Sequence, residues 1–380
     1  MQNSIAQNIN KASYKLMGYR VQAARENKGL TQAQLTKVLG FKNRQTISSI
    51  ENGERAIKSE ELFMLTEALD CNIDFLFNPF SVSGEAKYSW RAAPELTEQE
   101  LDDFESQTGQ WIGLFRWLRE IDGQQNNPLK YSLKLTKRSS FEDTIVCAEN
   151  LVKMLVLGII PANKLIQQIE EKLDIPILLV DTIETPQNHT ISGATCHLQD
   201  LSIILINRNE PEARRFYNIA HELFHVLTWD VMQPDYRESN SLSDRTHNKR
   251  IEQLADNFAA ALLMPEISLK HFINKKDIDN IEHLLAVAKQ LKVTPIALAY
   301  KLYNLKWIDQ NMLNTLKQHK LKVSNQNLLK PFQPNFIHML HRAIDNGQLS
   351  ARKAAKAMSM NLLQLTDLFA EYSLAAPFEL

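Results

Sequence analysis

The sequence is poor in cysteine, glycine and proline, with 3, 11 and 13 of them in 380 residues. Scarcity of glycine and proline argues against a loop-rich all-β chain and favours long regular helices. Cys71, Cys147 and Cys196 are widely separated and odd in number, a pattern that gives no disulfide framework and no thiolate zinc site and fits a reducing cytoplasm. Long apolar runs are also missing. The longest, Leu151 to Ile160, is broken by Lys153, and the first residues lack the apolar core of a signal peptide, so neither secretion nor a membrane span is expected. Excess charge of one sign is absent too. A formal net charge of -1 does not hold nucleic acid by bulk attraction, so any DNA binding must come from a local face.

What is present is the composition of a globular chain, 44% hydrophobic and 23% charged, and too long for one ordinary core. Its patterning predicts a mainly α protein with a small β-sheet, an α+β core flanked by helical regions. Four stretches are expected: a five-helix region at 1–79, a helical connector at 80–140, the α+β core at 141–268 and a C-terminal helical domain at 269–380.

Short amphipathic segments run from Gly18 to Asn27, Thr31 to Leu39, Arg44 to Asn52, Ser59 to Leu69 and Ile73 to Leu76. Thr31 and Gln34 have capping-box spacing, and Gly40 and Gly53 supply stops. Glu95 to Arg119 suits a helix or two, and the polar stretch from Gly123 to Ser140 suits a connection. Beyond it the pattern predicts helices at Phe141 to Leu157 and Pro161 to Leu173, a strand at Ile175 to Val180, and paired strands at Ile191 to His197 and Leu201 to Asn207. Two further helices follow, from Pro211 to Trp229 and from Lys249 to Met264. From Ile278 onward the periodicity is helical throughout, with Leu284, Ala288, Leu291, Val293, Ala297 and Leu302 spaced for burial and Ser350 placed to cap a helix.

The segment His221-Glu222-Leu223-Phe224-His225 carries the clearest chemistry. Two histidines four apart on a helix project from one face and can share one metal ion, and the carboxylate beside the first can act as general base toward water. A catalytic zinc needs a third protein ligand, and Glu252, 27 residues after His225, is a fitting acid on a later helix. Asp256, four residues further, shares its face and could fix the tautomer of a ligand histidine. Tyr217 and His197 are candidates for transition-state donors, with packing and solvation as their plainer roles.

The blocks Arg215 to His225 and Glu252 to Pro265, with the strand Ile203 to Asn207 before them, resemble the ImmA/IrrE family of metallopeptidases from about Glu149 to Pro265. The resemblance implies Zn2+ bound by His221, His225 and Glu252, with Glu222 catalytic. Phe224 departs from the pattern, since the family commonly has glycine there; a large ring could narrow a substrate cleft or pack beneath the helix.

Leu30 to Leu35, Gly40 and Gln45 to Gly53 resemble the phage-repressor, Xre-like helix-turn-helix family over about sixty residues. On that resemblance Ile47 and Ile50 face a core with Leu35, Val38, Leu39, Leu62 and Leu65, and Arg44, Gln45, Thr46 and Ser49 lie on the exposed face of the recognition helix, where they can read base edges. Gln32 and Asn52 anchor phosphates. The turn Phe41 to Arg44 is one residue longer than usual, and the base-facing assignment shifts if the extra residue enters the helix.

Together the resemblances imply a cytoplasmic regulator that binds double-stranded DNA as a homodimer and a zinc endopeptidase that cleaves a protein partner, a repressor or toxin–antitoxin component. The alternative is a non-proteolytic transcription factor or antitoxin that uses the peptidase fold as sensor or partner-binding scaffold.

Overall fold

The computed structural model describes residues 2–43, 45–71, 73–82, 85–93, 95–183, 191–237, 249–274, 276–319 and 329–379. Helices predominate, with one small mixed sheet, as the patterning predicts. The chain groups into two compact units, one of residues 1–87, 99–126 and 334–380, the other of 88–98 and 127–333.

The first unit begins with α1 (Gln2–Asn27), α2 (Gln32–Val38), α3 (Gln45–Glu51), α4 (Ser59–Leu69) and α5 (Ile73–Phe77). Thr31 Oγ1 accepts from the Gln34 backbone N–H while the Gln34 side chain accepts from the Thr31 N–H, so the expected capping box opens α2. Gly40 ends it at φ +67°, a conformation that favours glycine. Val21, Leu35, Leu39, Ile47, Ile50, Leu65 and Leu69 form the core with Leu62 at its margin. Val38 differs from expectation, being 60% exposed. Leu35, Thr36 and Leu39 take the inner face of this short helix, which turns Val38 outward.

β1 (Lys87–Ala92) and α6 (Glu98–Ile121) come next in the chain. The helix matches the expectation at 95–119; the strand had none, although Tyr88, Trp90 and Ala92 alternate with Lys87, Ser89 and Arg91. In the first unit Glu85 is gripped from two elements, accepting from Arg20 Nε of α1 and Arg116 Nη2 of α6, both at 3.0 Å. All three side chains are buried, so the carboxylate is satisfied by charge-assisted bonds rather than by water.

The second unit continues with α7 (Phe141–Leu155), a tight helical turn (Pro161–Asn163), α8 (Leu165–Gln168) with a wide turn directly after it (Ile169–Leu173), and then β2 (Ile177–Val180), β3 (Ile191–His197), β4 (Ser202–Asn207), α9 (Glu212–Thr228) and α10 (Lys249–Leu263). It is completed by α11 (Glu266–Phe272), α12 (Ile281–Gln290), α13 (Pro295–Asn304) and α14 (Gln310–Gln318). Strand order is β1-β3-β4-β2. β4 runs parallel to β2, with Ile177 opposite Ile204, and antiparallel to β3, with Thr195 opposite Ile204. Every residue of β4 is buried, which accounts for its unbroken Ile203-Ile204-Leu205-Ile206 run. α9 packs on β3 and β4, and α10 packs against both α7 and α9.

The stretch 123–140, read as a polar connection, contributes to this core. Leu133 and Leu135 are buried, and the Leu133 N–H bonds to the Leu227 carbonyl at 2.8 Å. Leu129, Tyr131, Leu133 and Leu135 alternate with polar residues, so one edge of an extended chain is apolar despite the polar average.

The C-terminal part of the first unit is α15 (Pro334–Asp345), α16 (Ala351–Ala357) and α17 (Leu362–Glu371), and the Ser350 hydroxyl caps α16 as expected. One helix corner recurs along the chain. Leu39, Leu291 and Met358 each close a helix in αR geometry, and Gly40, Lys292 and Ser359 follow at φ +67°, +57° and +56°. No helix among the described residues is long and apolar enough to cross a membrane.

Candidate functional site

Glu212 begins α9 directly after Pro211, which has no N–H to leave unsatisfied and whose fixed φ suits a helix entry. Periodicity then turns Ile219, Ala220, Leu223 and Leu227 into the core and carries His221 and His225 toward α10. His221 Nε2 lies 3.1 Å from His225 Nε2 and 3.2 Å from Glu252 Oε2, and His225 Nε2 lies 3.6 Å from the same oxygen. Two donors held about 2.0–2.1 Å from a zinc ion on tetrahedral corners stand roughly 3.3 Å apart, so the triangle has the dimensions the ion requires. Three electron-pair donors converge, all within 4.8 Å of one another, and the set of two imidazoles and one carboxylate fits a catalytic zinc.

The flanking residues orient that set. His221 Nδ1 is 3.0 Å from Asp256 Oδ1, and a proton shared there leaves the Nε2 lone pair facing the other ligands. Tyr217 donates to the same Asp256 oxygen at 3.0 Å, one turn before His221 on α9. Arg91 of β1 sits over the Tyr217 ring, 5.9 Å from its centroid. Burial raises the Asp256 pKa, but the His221 hydrogen bond and charge, the Arg91 charge and the Tyr217 hydroxyl together hold it below the usual range. Burial likewise works against the charge on Glu252, yet the His225 charge and the hydrogen bonds from both imidazoles keep it ionised well below its ordinary value. Desolvation, then the nearby Asp256 charge, pushes the Tyr217 phenol upward, so it remains a neutral donor.

Glu222 is fully buried on the side of α9 that meets the sheet. Its Oε2 accepts from Thr195 Oγ1 at 2.8 Å, a contact from the middle of β3. Gly193, two residues earlier on the same face of that strand, leaves space here: a Cβ on it would lie 3.6 Å from Glu222 Cγ and 2.9 Å from the Leu205 carbonyl. Another polar bond joins β3 to α9 through Glu210, which accepts from Ser192 Oγ and Asn218 Nδ2; desolvation raises its pKa despite those bonds.

Phe224 is fully buried, with its ring 5.5 Å from that of Phe258 on α10 and 5.8 Å from that of His225. Of its two sequence readings, packing beneath the helix is the one observed. His197 stacks on Trp229 at 5.1 Å and is 3.0 Å from Ser202 Oγ through Nδ1, so it is a packed residue rather than a solvated one. Thr195, Gly193 and Arg91 were not singled out from the sequence; the small residue in β3 was the only available hint.

In the helix-turn-helix region α3 begins at Gln45, with Phe41 to Asn43 before it. Asn43 Oδ1 accepts from the Gln45 N–H at 3.0 Å. Gln45 and Asn52 are exposed, and Thr46 and Ser49 are half-buried at the same surface. Arg44 lies outside the described residues. Gln32 donates through Nε2 to Glu51 Oε2 at 2.8 Å, and Arg25 binds both oxygens of that carboxylate at 2.6 and 3.1 Å. Beneath the exposed face of α3 there is therefore a buried ion pair that fixes α3 against α1.

Residues 21–76 match the family described as Helix-turn-helix, and residues 179–303 match that described as IrrE N-terminal-like domain. No curated protein and no solved structure matches the chain. The chain thus joins an N-terminal helix-turn-helix region to an IrrE-type domain, the combination of a DNA-binding regulator with a peptidase-family domain. The second match extends through α12 and α13.

Proposed function

We propose that this regulator carries a zinc-dependent endopeptidase, which cleaves a regulatory protein, a repressor or toxin–antitoxin component. The observation that carries the reading is the convergence of His221, His225 and Glu252 at tetrahedral-edge distances. Zinc held there supplies Lewis acidity, polarising a peptide carbonyl and making water easier to deprotonate. Glu222 takes the proton from attacking water and passes it to the departing amine, while Asp256 keeps His221 in its binding tautomer. Residues 1–79 bring the protein to DNA, with Arg44, Gln45, Thr46 and Ser49 toward base edges and Gln32 and Asn52 toward phosphates. Two copies read two half-sites. On this reading 141–268 carries the chemistry, 80–140 connects, and 269–380 adds helical support.

The test combines metal analysis with co-expression beside the products of neighbouring genes. Wild type should hold about one zinc per chain and cleave one of them. Glu222→Gln should keep the metal and lower kcat by about 10²–10⁴-fold. A metal-bearing wild type that cleaves none of them would count against turnover.

A second reading, the sensor or scaffold, draws support from the complete burial of Glu222 and His225. It requires that Glu222→Gln leave regulation in cells intact.

A further inference from the structure

Glu222 emerges from α9 on a side that faces the sheet, and a carboxylate there can turn about three side-chain torsions before its oxygens reach any fixed position. Burial removes water as a partner, so the neighbouring strand must decide where the oxygens rest. β3 does this with two residues on one face. Gly193 presents no side chain beneath the Glu222 methylenes, and Thr195 presents a hydroxyl 2.8 Å from Oε2 and 3.2 Å from the Glu222 backbone carbonyl. Thr195 is itself fully buried and in register with Ile204 of the central strand β4, so its Cβ is as firmly placed as any atom in the sheet. A β-branched residue also has restricted χ1 freedom, which narrows the arc the hydroxyl can sweep.

We infer that Thr195 is a positioning residue for Glu222: its hydroxyl donates to one carboxylate oxygen and fixes the orientation in which the other can take a proton. The inference rests on the peptidase reading above. It makes Glu222 a preorganised base, held by a strand 27 residues away in sequence rather than by its own helix. A threonine kept only for packing would be replaceable by valine, which has nearly the same shape and no hydroxyl.

The experiment uses the full-length chain loaded with cobalt in place of zinc, whose visible absorption reports the arrangement of groups around the ion. The set is wild type, Thr195→Val, Thr195→Ser and Glu222→Gln, each with cobalt stoichiometry and thermal midpoint measured alongside. The expected result is full cobalt loading throughout, a band shift in Thr195→Val in the same direction as in Glu222→Gln, and a wild-type spectrum in Thr195→Ser. Where a cleaved protein is in hand, Thr195→Val should lower kcat by about 10–100-fold with KM unchanged, and serine should restore it to within about threefold.

A folded, fully loaded Thr195→Val with the wild-type spectrum beside a shifted Glu222→Gln overturns the inference while leaving the peptidase reading standing. Failure of wild type to bind cobalt removes the peptidase reading and the inference with it; where the Glu222→Gln spectrum equals that of wild type, turnover decides, and a Thr195→Val kcat equal to wild type overturns the inference alone. Should Thr195→Val fail to fold, Thr195→Ser and Thr195→Ala carry the comparison: a wild-type spectrum in alanine contradicts the role of the hydroxyl.

Discussion

The side chains that converge at His221 and those along the outer face of α3 are positioned by different means. His221, Glu222 and His225 are 1%, 0% and 0% exposed, and each meets a group on another element: Asp256 and Glu252 for His221, Glu252 for His225, Thr195 for Glu222. Gln45 and Asn52 stand in solvent, and the rigidity beneath them comes from the Arg25–Glu51 pair. Buried polar groups are costly unless satisfied, so a substitution among His221, Glu222 and His225 disturbs a network rather than one contact. On the outer face of α3 the fold is held by a buried ion pair, and the exposed side chains above it are free of that task.

That difference can be broken by substitution. The largest effect is expected around His221: Asp256→Asn should weaken zinc affinity by about 10–100-fold, because the amide cannot accept the His221 proton as a carboxylate does. Competition with a chelator of known affinity measures it, and unchanged affinity would show that the tautomer of His221 is fixed by something else.

At the proposed DNA-binding residues, Arg44→Ala with Gln45→Ala should cost roughly 1–3 kcal/mol per lost base contact at a specific operator and much less on random DNA. The thermal midpoint of the protein should stay unchanged. Salt-dependent binding curves on both DNAs decide the matter; equal losses on both would make these residues backbone contacts instead of base readers.

The smallest effect sharpens the rule about burial. Glu252 is ionised because two imidazoles surround it, whereas Glu170, half-buried and accepting from the Ile177 N–H, has its pKa pushed up from 4.5 to about 7 by desolvation. A carboxyl whose folded pKa is raised favours the fold while protonated. Its contribution is full below about pH 4.5, declines as pH rises, and is gone above about pH 7. Glu170→Gln should therefore match wild type near pH 4 and be more stable by about 1–3 kcal/mol at pH 8, read from denaturant melts at both pH values. Equal stability at pH 8 would mean that the carboxyl is solvated.

The sequence carried different parts of this arrangement with different clarity. The metal triangle was legible because each donor sits on a helix: four-residue spacing places His221 with His225, and the same spacing places Glu252 with Asp256. The helix-turn-helix was legible through its punctuation at Thr31, Gln34 and Gly40. Thr195 was not, since nothing in local spacing says which strand residue will lie against Glu222 once β3 meets α9. Leu133 and Leu135 were hidden by a polar average, and β1 by its short alternation amid mixed signals. Val38 was misplaced because an apolar residue on a short helix need not face inward.

The most direct measurement is the metal content of purified full-length protein beside that of Glu252→Ala. About one zinc per chain in the former and little in the latter is the expected result, with both proteins folded by circular dichroism. Equal zinc in the two, or none in either after growth with added zinc, would contradict the claim that residues 221, 225 and 252 form one metal centre.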